Sequence, residues 1–427
     1  MLRALAYWAM LQRSQWYRGE KLLKIQERKL RTLLNKAIRE VEFYRELYRS
    51  IDLSSSRNAH ELLQRLPIVT RKMLSDTPLQ KRTAASVDHS KTLKRTTAGS
   101  TGTPVAILET KGSAAYWHAL YLRRLWAWGV RPGDRILRIL PAIPATSIGF
   151  FIGENPLDRL FKNAIGLVDM SAGIDTQFLG KIIESNATVF IAQPSTILAI
   201  IKKMEENDVS LSFKIVATTG EVLTLTMRKK IQDTFHCDVY DQYSTVELGN
   251  IAWECSTHMA YHINNDSVVL ELRNPRQIGR SAIEGEAVGT CLYRYATPVI
   301  RYLIGDVVQI REDECSCGRG LPLLERVEGR LVDCIVAKDG VLISPYVLTT
   351  ALQKIEGIQQ FKIIQHPDYT VEVQAIPAEN LDLEKLNLAI EAMLAPLLHG
   401  LQLKVKFTDS IQVKGVKFRL VESLVPK

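Results

Sequence analysis

Over residues 2–50, Leu22, Leu23, Ile25, Leu30, Leu33, Leu34, Ala37 and Ile38 recur at spacings of three and four, with charged residues between them. That period predicts two amphipathic helices. Three consecutive serines, Ser54, Ser55 and Ser56, end the pattern, and a shorter helical stretch over 59–75 is interrupted at Pro67. From 105 to about 325 the texture changes to short β-branched runs alternating with amphipathic segments. Strands are expected at 136–140, 189–192, 214–218 and 238–240, and helices at 111–128, 175–186, 195–207 and 224–235. Such alternation predicts an α/β core with helices packed on a sheet. Over 268–310 the runs VVLELRN, GEAVGTCLYRY and GDVVQIR are separated by Gly, Pro and Asp turns, which reads as a small antiparallel β subdomain, barrel-like in outline. Beyond Gly329 and Arg330, strands at FKIIQH, YTVEVQAI and LKVKFTD surround a helix over 383–398, the pattern of a small α+β unit. The expected division is therefore residues 1–330, with a helical extension over about 1–75, and a C-terminal unit over 331–427.

Bulk properties narrow the classes. The 427 residues are ample for a buried core, and 46% hydrophobic with 24% charged residues is ordinary for a globular protein. No run of eighteen apolar residues occurs, and the opening apolar stretch is broken at Arg3 and closed by Gln12 and Arg13, which argues against a secretory signal. The six cysteines of so large a chain point to a reducing cytoplasm, with free thiols or metal ligands in place of a disulfide framework. A net charge of +9, much of it in the first hundred residues, reads as solvated helix faces. No zinc finger, helix-turn-helix or RNP-type signature accompanies it, so nucleic acid is not an expected partner.

Candidate chemistry begins at 96–104, where TTAGSTGTP places two glycines and five hydroxyl residues in nine positions. Glycines let backbone amides approach an anion, and hydroxyls add donors, so the loop suits phosphate. Composition alone fits a plain surface loop equally well. It is not a Walker A loop, because no Gly-Lys-Ser/Thr follows at the required spacing.

The segment resembles the Ser/Thr/Gly-rich phosphate loop of the adenylate-forming superfamily. The preceding VEFYRELY and LPIVTRKML and the following LRRLWAWGVRPGDRIL are similar to its phenylacetate–CoA ligase-like branch, capsule-biosynthesis relatives included. The resemblance implies a large N-terminal α/β domain with a mobile C-terminal lid. It also implies ATP-dependent activation of a carboxylic acid as an acyl-adenylate, with pyrophosphate released and the acyl group passed to a thiol such as coenzyme A. A degenerate, non-catalytic nucleotide-binding relative, or transfer to an amine, hydroxyl or carrier protein, are the alternatives.

Residue by residue, the resemblance implies that Thr97, Gly99, Ser100, Thr101, Gly102 and Thr103 hold phosphate. Gly220 and Glu221 of ATTGEVL, and Tyr243 of YDQYSTVE, would lie against adenine. Glu247 would bind Mg²⁺, a hard cation that takes carboxylate oxygens. Ser244 stands where the family has Gly and Val246 where it has Thr, so Thr245 is the candidate to replace that hydroxyl. Asp306 of RYLIGD would accept the ribose hydroxyls, and Arg330 would reach the same sugar. Val332 stands at the hinge position, one before Asp333. Lys417 of VKGVKFR would bridge the carboxylate and α-phosphate, with Lys414 its competitor and Val416 where Gly is usual. The acid pocket is expected among residues 140–150, 190–196 and 218–245, with an apolar or aromatic acid favoured.

Two features stand outside the nucleotide motifs. Cys255, His262, Cys315 and Cys317 offer four borderline or soft ligands suited to tetrahedral Zn²⁺, with His258 a weaker candidate. The other three cysteines read as core residues. Residues 2–20 carry Leu2, Leu5, Tyr7, Trp8, Leu11, Trp16 and Tyr17 beside Arg3, Arg13 and Arg18. A homodimer interface is the expected use of that surface, with packing into the chain's own core and contact with an anionic membrane as the other two.

Overall fold

A computed structural model describes residues 2–52, 56, 58–97, 105–141, 149–152, 164–168, 174–330, 333–343, 345–352, 354–378, 381–411 and 420–425. The N-terminal helices are α1 (Leu2–Ser14), α2 (Gly19–Glu40), α3 (Glu42–Leu47), α4 (Ala59–Arg65) and α5 (Arg71–Asp76). The expected pair over 2–50 thus becomes three, because Val41 takes an extended backbone (φ −113°, ψ 111°) between α2 and α3. A hairpin of β1 (Thr92–Thr96) and β2 (Ala106–Thr110) flanks the glycine-rich loop and leads into α6 (Lys111–Ala127).

Among the described residues, twelve strands form one sheet. Its parallel part comprises β3 (Ile136–Pro141), β5 (Ala164–Val168), β6 (Val189–Ala192), β7 (Ile215–Thr219) and β8 (Asp238–Thr245). Strand β4 (Gly149–Ile152) runs antiparallel at its edge. Between these strands lie α7 (Thr176–Glu184), α8 (Pro194–Glu206) and α9 (Leu225–Phe235). Successive side chains of a strand face opposite ways, and here each side has its own core. Val189, Ile191, Ile215 and Ala217 pack with Tyr121, Leu122, Leu125 and Trp128 at α6. Phe190, Ala192 and Val216 pack with Ile182 of α7, Ile197 and Ile200 of α8, and Ile231 and Phe235 of α9. Burial on both faces is why these strands read as unbroken apolar runs.

The sheet continues antiparallel through β9 (Gly249–Glu254), β10 (Tyr261–Ile263), β14 (Leu323–Arg330), β13 (Tyr302–Arg311), β12 (Ala282–Cys291) and β11 (Val268–Ile278). The antiparallel strands expected over 268–310 are therefore present. They connect to the parallel strands through the β14–β10–β9–β8 ladder, without a separate barrel.

Beyond β14 come β15 (Ile335–Val336), β16 (Leu342–Ile343), α10 (Pro345–Leu352), β17 (Ile358–Gln365), β18 (Val371–Pro377), α11 (Leu383–Leu394), β19 (Leu403–Phe407) and β20 (Val421–Ser423). Their apolar side chains form a hydrophobic cluster of their own, from Ile335 through Ile363 and Ile390 to Val421.

The N-terminal helix packs inward along one face. Leu11 is fully buried, Tyr7 meets Tyr116 edge-on at 5.0 Å, and Trp8 meets Trp126 at 5.4 Å. Helix α6 thus covers much of the apolar surface that led the sequence reading toward a subunit interface. Leu2 and Leu5 remain exposed on the opposite face.

Candidate nucleotide site and cysteine–histidine cluster

The ATTGEVL and YDQYSTVE motifs end two adjacent parallel strands. Thr218 lies opposite Asp241 and Thr219 opposite Gln242 in the β7–β8 register. Ligand crevices of open α/β sheets form at the carboxyl ends of such strands. The hydroxyls of Thr219 and Ser244 are 3.2 Å apart, so the serine that replaces glycine joins the two motifs. Gly220 turns the chain with φ +82°. The Glu221 carboxylate accepts from the backbone N–H and the hydroxyl of Ser195, at 3.1 and 3.0 Å, on the first turn of α8. That position satisfies helix-end donors and gives Glu221 a structural task.

Glu247 sits in the turn between β8 and β9 with its side chain 7% exposed. Its Oε1 accepts from the Tyr302 phenol at 2.9 Å and lies 3.4 Å from Arg71 Nη1. The turn itself is over-determined. Thr245 Oγ1 accepts from the Leu248 N–H at 3.1 Å, and Arg294 donates to the carbonyls of Val246 and Glu247. Gly249 has φ +79°, and a Cβ there would stand 2.0 Å from the Tyr293 hydroxyl, so no side chain fits. Thr245 is therefore engaged in shaping the turn through its lone pair, while Val246 is partly exposed at the tip.

The Tyr243 phenol donates to Asp306 Oδ2 at 2.5 Å, and Asp306 stands opposite Arg330 in the β13–β14 register. Three segments distant in sequence, carrying Tyr243, Asp306 and Arg330, thus converge. Thr97 is nearly buried. Its hydroxyl receives the Val105 N–H at 2.9 Å and Arg71 Nη2 at 2.8 Å, so both ends of the glycine-rich loop are tied together. Gly99, Ser100, Thr101, Gly102 and Thr103 lie outside the described residues, as do 142–148 of the expected acid pocket, Val332, Lys414, Val416 and Lys417.

Sequence reasoning missed two groups here. Arg71 links Thr97 to Glu247, yet in sequence it is one basic residue in a short amphipathic stretch. Asp241, opposite Thr218 in the β7–β8 register, receives Thr218 Oγ1 at 2.5 Å and the Tyr261 phenol at 2.7 Å. Burial, then the nearby Glu254 charge, push its carboxyl up to about 7.

The second cluster forms where β9 ends and the strands β10 and β14 begin. The ligand atoms of Cys255, His262, Cys315 and Cys317 all lie within 4.8 Å of one another. Cys255 Sγ and Cys315 Sγ are 3.7 Å apart, and Cys317 Sγ is 3.2 Å from His262 Nε2. Burial, then the Arg319 charge, keep the His262 imidazole neutral, down to about 4, which leaves a ring nitrogen able to ligate. His258 is turned away, with Nδ1 3.5 Å from a Glu254 oxygen. Of the remaining cysteines, Cys291 and Cys334 are buried, and Cys237 is partly exposed. The N-terminal segment clasps this cluster: the Gly320 N–H donates to the Gln15 carbonyl at 3.0 Å, and the Arg319 guanidinium lies 4.9 Å from the Trp16 ring centre.

Similarity to known proteins agrees with this geometry. No family model matches the chain. A phenylacetate–coenzyme A ligase of Thermus thermophilus is 25% identical over 380 residues, covering 84% of this chain and 82% of that protein. Protein CapK of Staphylococcus aureus is 23% identical over 363 residues, covering 79% and 74%. Among solved structures, a 2-hydroxyisobutyryl-CoA ligase in its post-adenylation state with 2-HIB-AMP superposes with a TM-score of 0.77 at 20% identity, over 94% of this chain and 89% of that chain. The same ligase with 2-HIB-AMP and CoA, in the thioesterification state, gives 0.62 over 96% and 91%.

Proposed function

We infer that this chain is an adenylate-forming ligase of the phenylacetate–CoA ligase-like branch. It uses ATP to convert a small carboxylic acid to an acyl-adenylate and then passes the acyl group to a thiol, coenzyme A. The observation that carries the reading is the convergence of Tyr243, Asp306 and Arg330, with Glu247 and Thr97, at the carboxyl ends of β7 and β8.

In the first step a carboxylate oxygen of the acid attacks the α-phosphorus of ATP, and the bond to the bridging oxygen of pyrophosphate breaks. In the second, the thiol attacks the acyl carbon, loses its proton and displaces AMP. The protein's task is positioning and cancellation of charge. Asp306 accepts from the ribose hydroxyls, work suited to a carboxylate with its several lone pairs, and Arg330 reaches the same sugar. Tyr243, Gly220 and Glu221 border the adenine. Thr97 and the loop from Gly99 to Thr103 surround the phosphates with Ser100 and Thr101. Glu247 offers the hard oxygen that Mg²⁺ takes, and the metal when bound supplies charge neutralisation at the phosphates. Lys417 approaches the carboxylate and α-phosphate as residues 331–427 close as a lid, and Ser244 and Thr245 fix the wall beneath.

Pyrophosphate–ATP exchange across a panel of aliphatic and aromatic acids tests this. Acid-dependent exchange that falls by orders of magnitude in Lys417→Ala is the expected result. ATP binding without exchange for any acid points to a degenerate relative, and no ATP binding at all ends the reading.

We also propose that Cys255, His262, Cys315 and Cys317 hold a structural Zn²⁺. The donor set and its convergence fit tetrahedral coordination. Elemental analysis of protein purified without added zinc should give about one metal per chain, and chelation should lower the melting temperature. Metal-free protein that melts at the same temperature with and without chelator contradicts it.

A further inference from the structure

The cation beside Glu247 has no role in the reading above. Arg71 opens α5, and its place is fixed from behind: the Val69 N–H donates to the Arg301 carbonyl at 2.8 Å, and the Leu303 N–H donates to the Val69 carbonyl at 2.9 Å. Those two bonds lace the segment onto the start of β13, beside Tyr302. From there the guanidinium spans two motifs, with Nη2 on Thr97 Oγ1 at 2.8 Å and Nη1 at 3.4 Å from Glu247 Oε1. Thr97 lies at the start of the phosphate loop, whereas Tyr243 and Asp306 mark the nucleoside end. Arg71 therefore stands at the phosphate end of the site.

Its contact with Glu247 is a weak ion pair. It is a single approach at 3.4 Å, not a bidentate fork, and the arginine side chain is 27% exposed. The same oxygen already accepts the Tyr302 phenol at 2.9 Å. A guanidinium with five donors in a planar fork makes far better contacts with phosphate than with one shared carboxylate oxygen. A divalent cation at Glu247 would also repel Arg71 from that oxygen.

We propose that Arg71 is a phosphate-binding residue that neutralises Glu247 while the site is empty and transfers to the β,γ-phosphates when Mg²⁺·ATP binds. The exchange explains how a buried carboxylate is kept for the metal without an unpaired charge in the resting chain. It also places a cation on the pyrophosphate as the α–β bridge breaks. The proposal rests on the adenylating reading, and its test separates the two.

Binding of Mg²⁺·ATP, Mg²⁺·pyrophosphate and AMP is measured by calorimetry on the full chain for the unsubstituted protein, Arg71→Ala, Arg71→Lys and Asp306→Ala. Arg71→Ala should weaken ATP and pyrophosphate by on the order of 10- to 100-fold, the worth of charged hydrogen bonds, and leave AMP within about threefold. Arg71→Lys should recover part of the loss, and Asp306→Ala should weaken ATP and AMP together. Should Arg71→Ala fail to fold, Arg71→Gln, which keeps N–H donors without charge, carries the same comparison. ATP bound as tightly by Arg71→Ala as by the unsubstituted protein overturns the proposal while leaving the adenylating reading intact. So does an equal loss of ATP and AMP with a lowered melting temperature, which marks Arg71 as a structural prop. An unsubstituted chain that binds none of the three ligands removes the adenylating reading and this proposal with it.

Discussion

Asp266 and Glu247 are both buried carboxylates beside an arginine, and their surroundings differ at every point. Asp266 takes Arg123 on both oxygens, at 2.7 and 3.2 Å, and receives Ser14 Oγ at 2.5 Å and Ser267 Oγ at 2.8 Å. Arg123 also donates to Asn264 Oδ1 and to the Leu11 carbonyl, and both charged side chains are at most 1% exposed. Burial alone would raise this carboxyl; the Arg123 and Lys29 charges bring it down to about 2 instead. Lys29, 2.6 Å from the Asp266 carbonyl and from the Tyr116 phenol, is itself lowered to about 8 by burial. Among the described residues, Glu247 has one long contact with Arg71 and one phenol. A carboxylate with both oxygens fully engaged closes a structure, here sewing α1 and α2 onto the sheet through Ser14 and Lys29. One less fully engaged stays available to something else.

The largest expected effect falls on the Asp266–Arg123 pair. Asp266→Asn keeps the shape and strands the Arg123 charge in the core, which should destabilise the N-terminal region by about 3–5 kcal/mol in urea titration. A loss under about 1 kcal/mol would break the contrast, since Asp266 would then be no more committed than Glu247.

The Glu247–Arg71 pair should respond in the opposite currency. Glu247→Gln keeps an acceptor for Tyr302, and Arg71 is exposed enough to be hydrated, so stability should change by less than about 1 kcal/mol. Acid-dependent pyrophosphate–ATP exchange should fall by about 100-fold, the scale set by removing one charge-stabilising group from an active site. A variant that is strongly destabilised yet exchanges normally would reverse the assignment of the two clusters.

How much of this could be read beforehand follows from the kind of signal each part leaves. Strands β6 and β7 were legible because burial on both faces makes them apolar runs, and α7, α8 and α9 because one face of each is buried against them. Strands β9 and β10 were not: GNIAWE and YHI mix Gly, Asn, Glu and His, and their burial comes from neighbours far along the chain. The motif residues Tyr243, Glu247 and Asp306 stood out by chemistry and order, though nothing local showed that Tyr243 and Asp306 touch. The four donors Cys255, His262, Cys315 and Cys317 were singled out by ligand type, and their convergence depends on β10 pairing with both β9 and β14. Arg71 lies in LPIVTRKML, one of the segments that carry the resemblance, but nothing in that segment marks the arginine itself. Its position follows from Val69 pairing with β13 more than two hundred residues away, which no local pattern encodes.

Asp241 sharpens the comparison with the smallest expected effect. Like Asp266 it is buried, but among the described residues no arginine reaches its oxygens; the nearby Arg228 instead meets Glu254 at 2.6 Å. Its backbone N–H donates to the other Glu254 oxygen at 2.9 Å, so the two acids share one neighbourhood. With the folded carboxyl near 7 against an ordinary 3.8, the folded chain holds a proton that the unfolded chain releases. The resulting contribution to stability is whole below pH 3.8 and is lost as pH climbs through about 7, with a slope of at most about 1.4 kcal/mol per pH unit. Asp241→Asn can still accept from Tyr261 or Thr218 and cannot titrate. Thermal melts of the two proteins from pH 5 to 8 should therefore diverge, the unsubstituted chain losing ground to the variant as pH rises. Parallel curves would mean that Asp241 is ionised throughout, with the Arg228 charge shared between two carboxylates, and it would then belong with Asp266 among the compensated acids.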